Sequence, residues 1–424
     1  MLKLYNWCYI KNKFEGVDKT MSTKKRFFIC YCLACYLLFI ICGCSTSDKL
    51  KYGEITEKPK VNSDVISNIQ SKKSENEIWK YDNLTGIDLR GIDLSDANLN
   101  DKIDDLKNFR FDSKTKWPNN LPDGFNPKLL MELGKDPGLN IKSLHEKGIT
   151  GKGIGIAIID QSLLVNHEEY KHQLMLYHSY SSLNNNISSQ HGPAVASIAV
   201  GKNIGVAPES KLYFIADDYA LYTSNDDSGN RTINLEYYIK DIERLIELNK
   251  TLNYNEKIRV ISISVGFDNN QKNIDEFNSA VIKARGEGIE ILCYGDGNLM
   301  NEYSGMGRKL YGNPNLIEDL RPSNLGSLNE EYPLLVPMNN RTLASGSGVS
   351  DYDYMPIGGV SWIVPYIAGL YSLSCQVKPD ITFRDFTNIA RRTGKMVTVS
   401  DETGTYSFGL VIDPESIIAE LQRK

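Results

Sequence analysis

The sequence predicts an α/β fold: a mostly parallel central sheet with helices on both faces, preceded by a short segment of repeated β-turns. Three observations predict it. Continuous apolar runs bounded by glycine or polar residues fall at 154–160, 211–215, 259–265 and 289–294, as buried parallel strands do. Helical stretches lie between them: 234–248, with Leu235, Ile239, Ile242 and Leu245 on one face, and 274–285. The alternation of the two periods argues a parallel sheet built from crossover units.

The chain reads in four parts. Lys24, Lys25 and Arg26 precede an apolar run at 27–41, followed by Cys42-Gly43-Cys44. A basic region, a short apolar region and a small residue before the cut describe a secretory signal. The ending resembles the bacterial lipobox, which implies lipid attachment to Cys44. Residues 1–43 are then a signal segment, with Met21 a better start than Met1. The other reading is an uncleaved anchor, but the run falls short of the ~20 residues of a spanning helix. Both place the body on the extracytoplasmic face of the cell membrane. Residues 44–78 are rich in Ser, Lys, Glu and Asn and read as a flexible tether. In 79–143, Leu84, Leu89, Leu94 and Leu99 recur every five residues, which resembles pentapeptide repeats that stack leucine inward. An irregular β-turn segment packed on the main domain is the equal alternative. The main domain spans 144–424.

Composition removes several function classes. The 424 residues are 41% hydrophobic and 24% charged, as in ordinary globular enzymes. A net charge of −5 and the lack of a basic, aromatic-laced stripe argue against nucleic-acid binding. Of eight cysteines only Cys293 and Cys375 fall in the body, so neither a zinc site nor a disulfide framework is expected; both read as buried thiols.

Three residues carry the chemistry. Asp160 ends an apolar strand (IAIID, 156–160), His191 opens a helix (HGPAVA, 191–196) and Ser361 opens another (GGVSWIVPYIAG, 358–369). A hydroxyl nucleophile, an imidazole base and an orienting carboxylate make an acyl-transfer site, and Asp…His…Ser is one order in which that site is built. With the entry segment LHEKGITGKGIGIAIID, Gly205–Pro208 (GVAP) and VISISVG (260–266), these segments resemble the subtilisin-like serine proteases in order and spacing. The resemblance implies a subtilisin-like fold and hydrolysis of peptide bonds through an Asp160–His191–Ser361 triad. It also implies an asparagine that donates to the oxyanion. Here Asn298 is chosen, with Asp296 competing, in CYGDGN. Gly358 and Gly359 are read as allowing the tight turn before Ser361, and Gly192 as leaving room for substrate.

The chain departs from the family where Gly359-Val360-Ser361-Trp362, Asp160-Gln161-Ser162 and His191-Gly192-Pro193-Ala194 replace the usual triplets and quartets. These departures keep two rivals open: a catalytically impaired peptide-binding protein of the same fold, and a maturation protease that needs a partner. An α/β-hydrolase is excluded, because no histidine follows His191. His167 and His172 miss the zinc spacing by one residue, so on a helix they diverge by about 140°. No cofactor is expected. Calcium, which relatives often use, is not called for by spacing: the Asp- and Asn-rich stretches 225–230 and 268–275 read as solvated loops. Trp362 and Tyr366 read as core aromatics with a pocket role as the alternative. The expected partners are a protein or peptide substrate and, through the N-terminal lipid or anchor, the membrane; the protein is read as a monomer.

Overall fold

The computed structural model describes residues 50–63, 79, 86–179, 186–218, 223–225, 231–267, 269–295, 298–322, 333–401 and 404–423. The expected signal segment with Cys44, residues 64–78 of the expected tether, and Leu84 lie outside them.

The central sheet is parallel throughout, in the order β4–β5–β3–β8–β9. Its strands are β3 (Gly155–Asp160), β4 (Leu174–Ser179), β5 (Lys211–Ala216), β8 (Ile258–Phe267) and β9 (Glu290–Gly295). Four of the five coincide with the apolar runs. The fifth, β4, was not foreseen: LMLYHS mixes apolar and polar residues because it lies toward the edge. A short hairpin of β6 (Thr223–Asn225) and β7 (Arg231–Ile233) lies between β5 and β8 in the chain.

Alternation along the strands decides which helix meets which face. Ile156 and Ile158 of β3, and Leu212 and Phe214 of β5, enter one core with α3 (His191–Val200) and α6 (Val360–Val377). Ala157, Ile159, Tyr213 and Ile215 enter the other, with α4 (Glu236–Thr251) and α5 (Ile274–Gly286). Both faces are covered, as an all-parallel sheet requires. Asp160 shares the parity of Ile156 and Ile158, so it falls on the side of α3 and α6. The chain lays β4 and β5 on one flank of β3, then crosses to β8 and β9 on the other. The strand order therefore reverses at β3, and such a switch point opens a crevice at the carboxyl ends of the strands.

A second sheet, in the order β11–β10–β12–β16–β15, uses β10 (Tyr303–Arg308), β11 (Leu320–Pro322), β12 (Leu334–Pro337), β15 (Lys395–Asp401) and β16 (Gly404–Val411). Helices α7 (Phe383–Thr393) and α8 (Pro414–Arg423) complete that end. Helix α6 has the length and apolarity of a membrane span, yet from Trp362 to Cys375 it is buried in the core.

The five-residue repeat is a series of turns. The carbonyls of Leu89, Leu94 and Leu99 accept from the N–H groups of Ile92, Ala97 and Lys102, three residues on. All three leucines point into a small core with Phe109, Phe111 and Phe125. One circuit of chain later, β2 (Phe109–Asp112) pairs in parallel with β1 (Ile87–Asp88). Strand β2 then joins β14 (Tyr352–Met355), which pairs with β13 (Arg341–Ala344). Helix α1 (Pro127–Lys135) holds Leu130 in that small core, and Ile141 and Leu144 of α2 (Ile141–Glu146) enter the main one. Packing continues across the expected boundary at residue 144, and the described residues from Leu50 onward form one compact unit.

The expected tether also needs correction where it is described. Residues 50–63 lie along β4 and the residues before α3. Gly53 and Thr56 N–H donate to the Met175 and Tyr177 carbonyls, Lys60 pairs with Ile187, and Asn62 N–H donates to the Gly346 carbonyl at 2.9 Å. Leu50 is buried in the α4–α5 core. Backbone bonding to a sheet edge requires no apolar periodicity, so composition could not announce it.

Leu89 is fully buried, whereas Leu129 is 43% exposed. Leu89→Ala should cost about 2–5 kcal/mol in urea unfolding. Leu129→Ala should stay within about 0.5 kcal/mol of wild type.

Candidate active site

His191 and Asp160 meet. His191 Nδ1 lies 2.6 Å from Asp160 Oδ1, and the same oxygen accepts the Gln161 N–H at 2.8 Å. The Asp160 side chain is 5% exposed and the imidazole 29%, so the carboxylate is enclosed while the ring reaches the surface. The approach of α3 to the end of β3 depends on Gly192. A Cβ there would stand 2.3 Å from the Gln161 carbonyl oxygen and 2.7 Å from that of Ser162. Gly192 thus serves backbone contact rather than the substrate space expected of it. The Ser189 hydroxyl accepts the Gly192 N–H at 2.9 Å and caps the helix from outside.

Burial pulls the His191 pKa down, but the charge and hydrogen bond of Asp160, helped by Asp218, outweigh it and leave the imidazole above its ordinary value. The pair therefore favours imidazolium.

Ser361 is half-buried in the first turn of α6. Its Oγ donates to the Ser264 carbonyl at 3.3 Å rather than to His191, and the Ser264 hydroxyl donates back to the Ser361 carbonyl at 3.2 Å. The second bond has a cause in the sequence. Pro365 sits four residues after Ser361, has no N–H, and so leaves the Ser361 carbonyl without its helical donor. Ser264 supplies a donor. The sequence reading marked this strand but not this residue; its place at the carboxyl end of a strand beside the switch point was the available signal. Of the two glycines before Ser361, Gly358 is the constrained one: a Cβ would meet the Met338 carbonyl oxygen at 2.4 Å, whereas Gly359 is open. No side chain caps α6, and in its first turn the Trp362 N–H donates to the Gly359 carbonyl at 2.9 Å.

Trp362 stacks on His191, with ring centroids 5.4 Å apart and planes 28° apart. Both Trp362 and Tyr366 are buried in the core as expected, Trp362 at the edge where it meets His191. Strand β8 contributes more than Ser264. Its ladder to β9 jumps from Ser262 to Gly266, and its ladder to β3 ends at Ser262, so residues 263–265 have no strand partner.

Asn298 does not join this group. Its Oδ1 accepts the Met300 N–H at 2.9 Å, capping a single 3₁₀ turn, and its Nδ2 contacts Cys293 Sγ at 3.5 Å. Cys293 belongs to the α4–α5 core, across the sheet from Asp160. Asn298 lines a pocket of about 60 Å³ with Phe277, Val281 and Cys293; none of the triad candidates lines it. Asp296, the competitor, lies outside the described residues, as do Asp268 and residues 226–230 of the Asp- and Asn-rich stretches. Burial pushes the Cys293 thiol up to about 12 and Cys375 up to about 11, so both are inert thiols. His167 is fully buried; its Nε2 donates to the Asp351 carbonyl at 2.9 Å and its Nδ1 accepts the Glu169 N–H at 3.3 Å. Both nitrogens serve packing. Among the described residues no cluster of His, Cys, Asp or Glu is arranged to hold a metal ion.

An imidazole held by a buried carboxylate at a switch point, against the helix whose first turn carries Ser361 and Trp362, has the form of a hydrolase-type cleft on an α/β sheet. Residues 151–320 match the model of the Subtilase family, a span that includes Asp160 and His191 and ends short of Ser361. The Major intracellular serine protease of Bacillus subtilis (strain 168) is 24% identical over 247 residues, 54% of this chain and 70% of that protein. A cold adapted subtilisin-like serine proteinase aligns at a TM-score of 0.40 with 18% identity, over 62% of this chain and 89% of the other. A structure titled as the basis of subtilase cytotoxin SubAB assembly aligns at 0.46 with 12% identity, over 69% of this chain and 96% of the other. Over residues 151–320 the chain is similar to the subtilases, and it is a divergent relative of that family.

Titration of His191 by NMR should give a pKa above the ordinary value of about 6.5, and Asp160→Asn should lower it. A wild-type value at or below the ordinary one contradicts the pairing. The sign for stability follows: the pair's contribution is complete below the unfolded-state pKa and is lost as pH rises through the raised folded-state value. Gly192→Ala should destabilise the fold by about 1–3 kcal/mol by overpacking and separate His191 from Asp160.

Proposed function

We propose that the chain is a serine endopeptidase, tethered by lipid at Cys44 on the extracytoplasmic face of the membrane. The observation that carries the catalytic reading is the 2.6 Å His191–Asp160 bond, with His191 stacked on Trp362, the residue after Ser361. In this mechanism neutral His191 takes the Ser361 proton on Nε2 as Oγ attacks the peptide carbonyl carbon. Asp160 fixes the ring with Nδ1 protonated and stabilises the imidazolium. The tetrahedral intermediate collapses, the C–N bond breaks, and His191 returns the proton to the leaving amine. Water then releases the acyl group by the reverse proton path. The hydroxyl needs a rotation from the Ser264 carbonyl toward His191 at the start; such bonds commonly tighten only when substrate is bound. Residues 263–265, which lie outside the ladders to β3 and β9, offer an extended peptide a strand to pair with. Uncapped N–H groups at the start of α6 supply the oxyanion donors, in place of the Asn298 amide.

A second reading has its own support. Ser361 Oγ engaged with Ser264 and Asn298 turned to the far side of the sheet fit a groove that binds peptides without cutting them.

A fluorophosphonate probe separates the two. Labelling of Ser361 in wild type, lost in Ser361→Ala and weakened in His191→Ala, supports catalysis; folded wild-type protein that takes no label favours the binding protein. Ser361→Ala should lower peptide hydrolysis by about 10⁶-fold. Asn298→Ala should lower it less than about tenfold, against the 10²–10³-fold expected of an oxyanion donor.

A further inference from the structure

Beneath the helix that carries Ser361, one buried and one half-buried guanidinium group share a single nearby carboxylate, that of Asp136. Arg341, on β13, is 2% exposed. Its Nη1 donates to the Pro137 carbonyl at 3.3 Å, while Nε and Nη2 are buried and have no partner. Arg308, at the end of β10, donates from Nη2 to the Asn340 carbonyl at 2.9 Å, and its buried Nε has no partner. Tyr366 of α6 lies under Arg341, its ring centroid 5.7 Å from the guanidinium carbon, with its buried hydroxyl also unpartnered. Arginine keeps its proton throughout the ordinary pH range, so neither group escapes the cost of burial by neutralising. Burial, together with repulsion from Arg308, pulls Arg341 down to about 10.

Both arginines line one cavity of about 10 Å³, together with Asp136, Gly307 and Asn339. Asp136 is the only carboxylate there, and it is engaged elsewhere. Its Oδ1 accepts the Gly138 N–H at 2.8 Å, and its Oδ2 lies 3.6 Å from Lys142 and accepts from Asn315 at 3.4 Å. Among the described residues neither arginine has an ion pair. The cavity therefore combines excess positive charge, orphaned donors and room for one water-sized species. A water would accept hydrogen bonds but leave the charge; an anion answers both needs. We infer that this cavity binds one small monovalent inorganic anion of the halide class, held between Arg308 and Arg341 under the Ser361 helix.

An anion that binds only the folded state raises its melting temperature as the site fills. The full chain should melt higher in sodium chloride or bromide than in sodium gluconate of equal ionic strength, with a gain that saturates. Arg341→Met and, separately, Arg308→Met should each abolish the halide-specific gain. Crystals grown with bromide should give an anomalous peak touching both guanidinium groups. That map and the wild-type melts decide the matter even where a variant fails to fold. Equal melting in halide and gluconate, or bromide peaks at the surface alone, would overturn the inference and leave a water-filled cavity.

Discussion

The hydrogen bond between His191 and Asp160 is the contact on which the rest of the site depends, and it is a product of packing. Asp160 reaches the correct face because it shares the parity of Ile156 and Ile158 along β3. His191 reaches Asp160 because α3 lies so near the end of β3 that only a glycine fits at 192. On its other side α3 is held by α6: a Cβ on Gly369 would stand 3.3 Å from the Ala199 carbonyl oxygen of α3 and 2.7 Å from Cβ of Val206, just beyond that helix. The carboxylate, the base and the helix of the serine are thus fixed relative to one another by backbone approach, which is stiffer than any arrangement of long side chains.

The turn-repeat segment is part of the same construction. Arg90 is buried in ion pairs with Asp88 and Asp353 and also donates to the Gln190 side chain at 3.1 Å. Gln190 immediately precedes His191. A segment with no catalytic residue of its own therefore touches the entry to the His191 helix, and β2 and β14 bind it to the sheet that flanks α3. Residues 50–63 reinforce the same neighbourhood from the β4 edge. Buried ion pairs of this kind contribute little net stability against apolar replacements but are costly to break singly, which suits a role in fixing one arrangement.

What was legible in the sequence is what apolar pattern and local chemistry encode. Four central strands, α4, α5, and the placement of Asp160 and His191 follow from runs that have no other use than burial on both faces. The inward leucines at 89, 94 and 99 were legible for the same reason. Other features were not. Strand β4 and the docked stretch 50–63 are held mainly by backbone bonds at an edge, and such bonds leave little trace in residue type. At residue 144 composition changes while packing continues across it, in line with the reading of 79–143 as a β-turn segment packed on the main domain. Asn298 was chosen by analogy of local spacing, but capping of the next turn and the pull of Cys293 take its amide to the opposite face. Ser264 was hidden inside an apolar strand, and its role appears only once Pro365 is seen to free the Ser361 carbonyl.

The convergence of Asp160, His191 and Ser361 is tested most directly by a crystal structure of the chain treated with a peptide chloromethyl ketone. The account predicts one inhibitor molecule bonded to both Ser361 Oγ and His191 Nε2, with its peptide paired along residues 263–265 and the His191–Asp160 bond intact. Reaction at another residue, or a His191 ring too far from Ser361 for one inhibitor to bridge them, would contradict it.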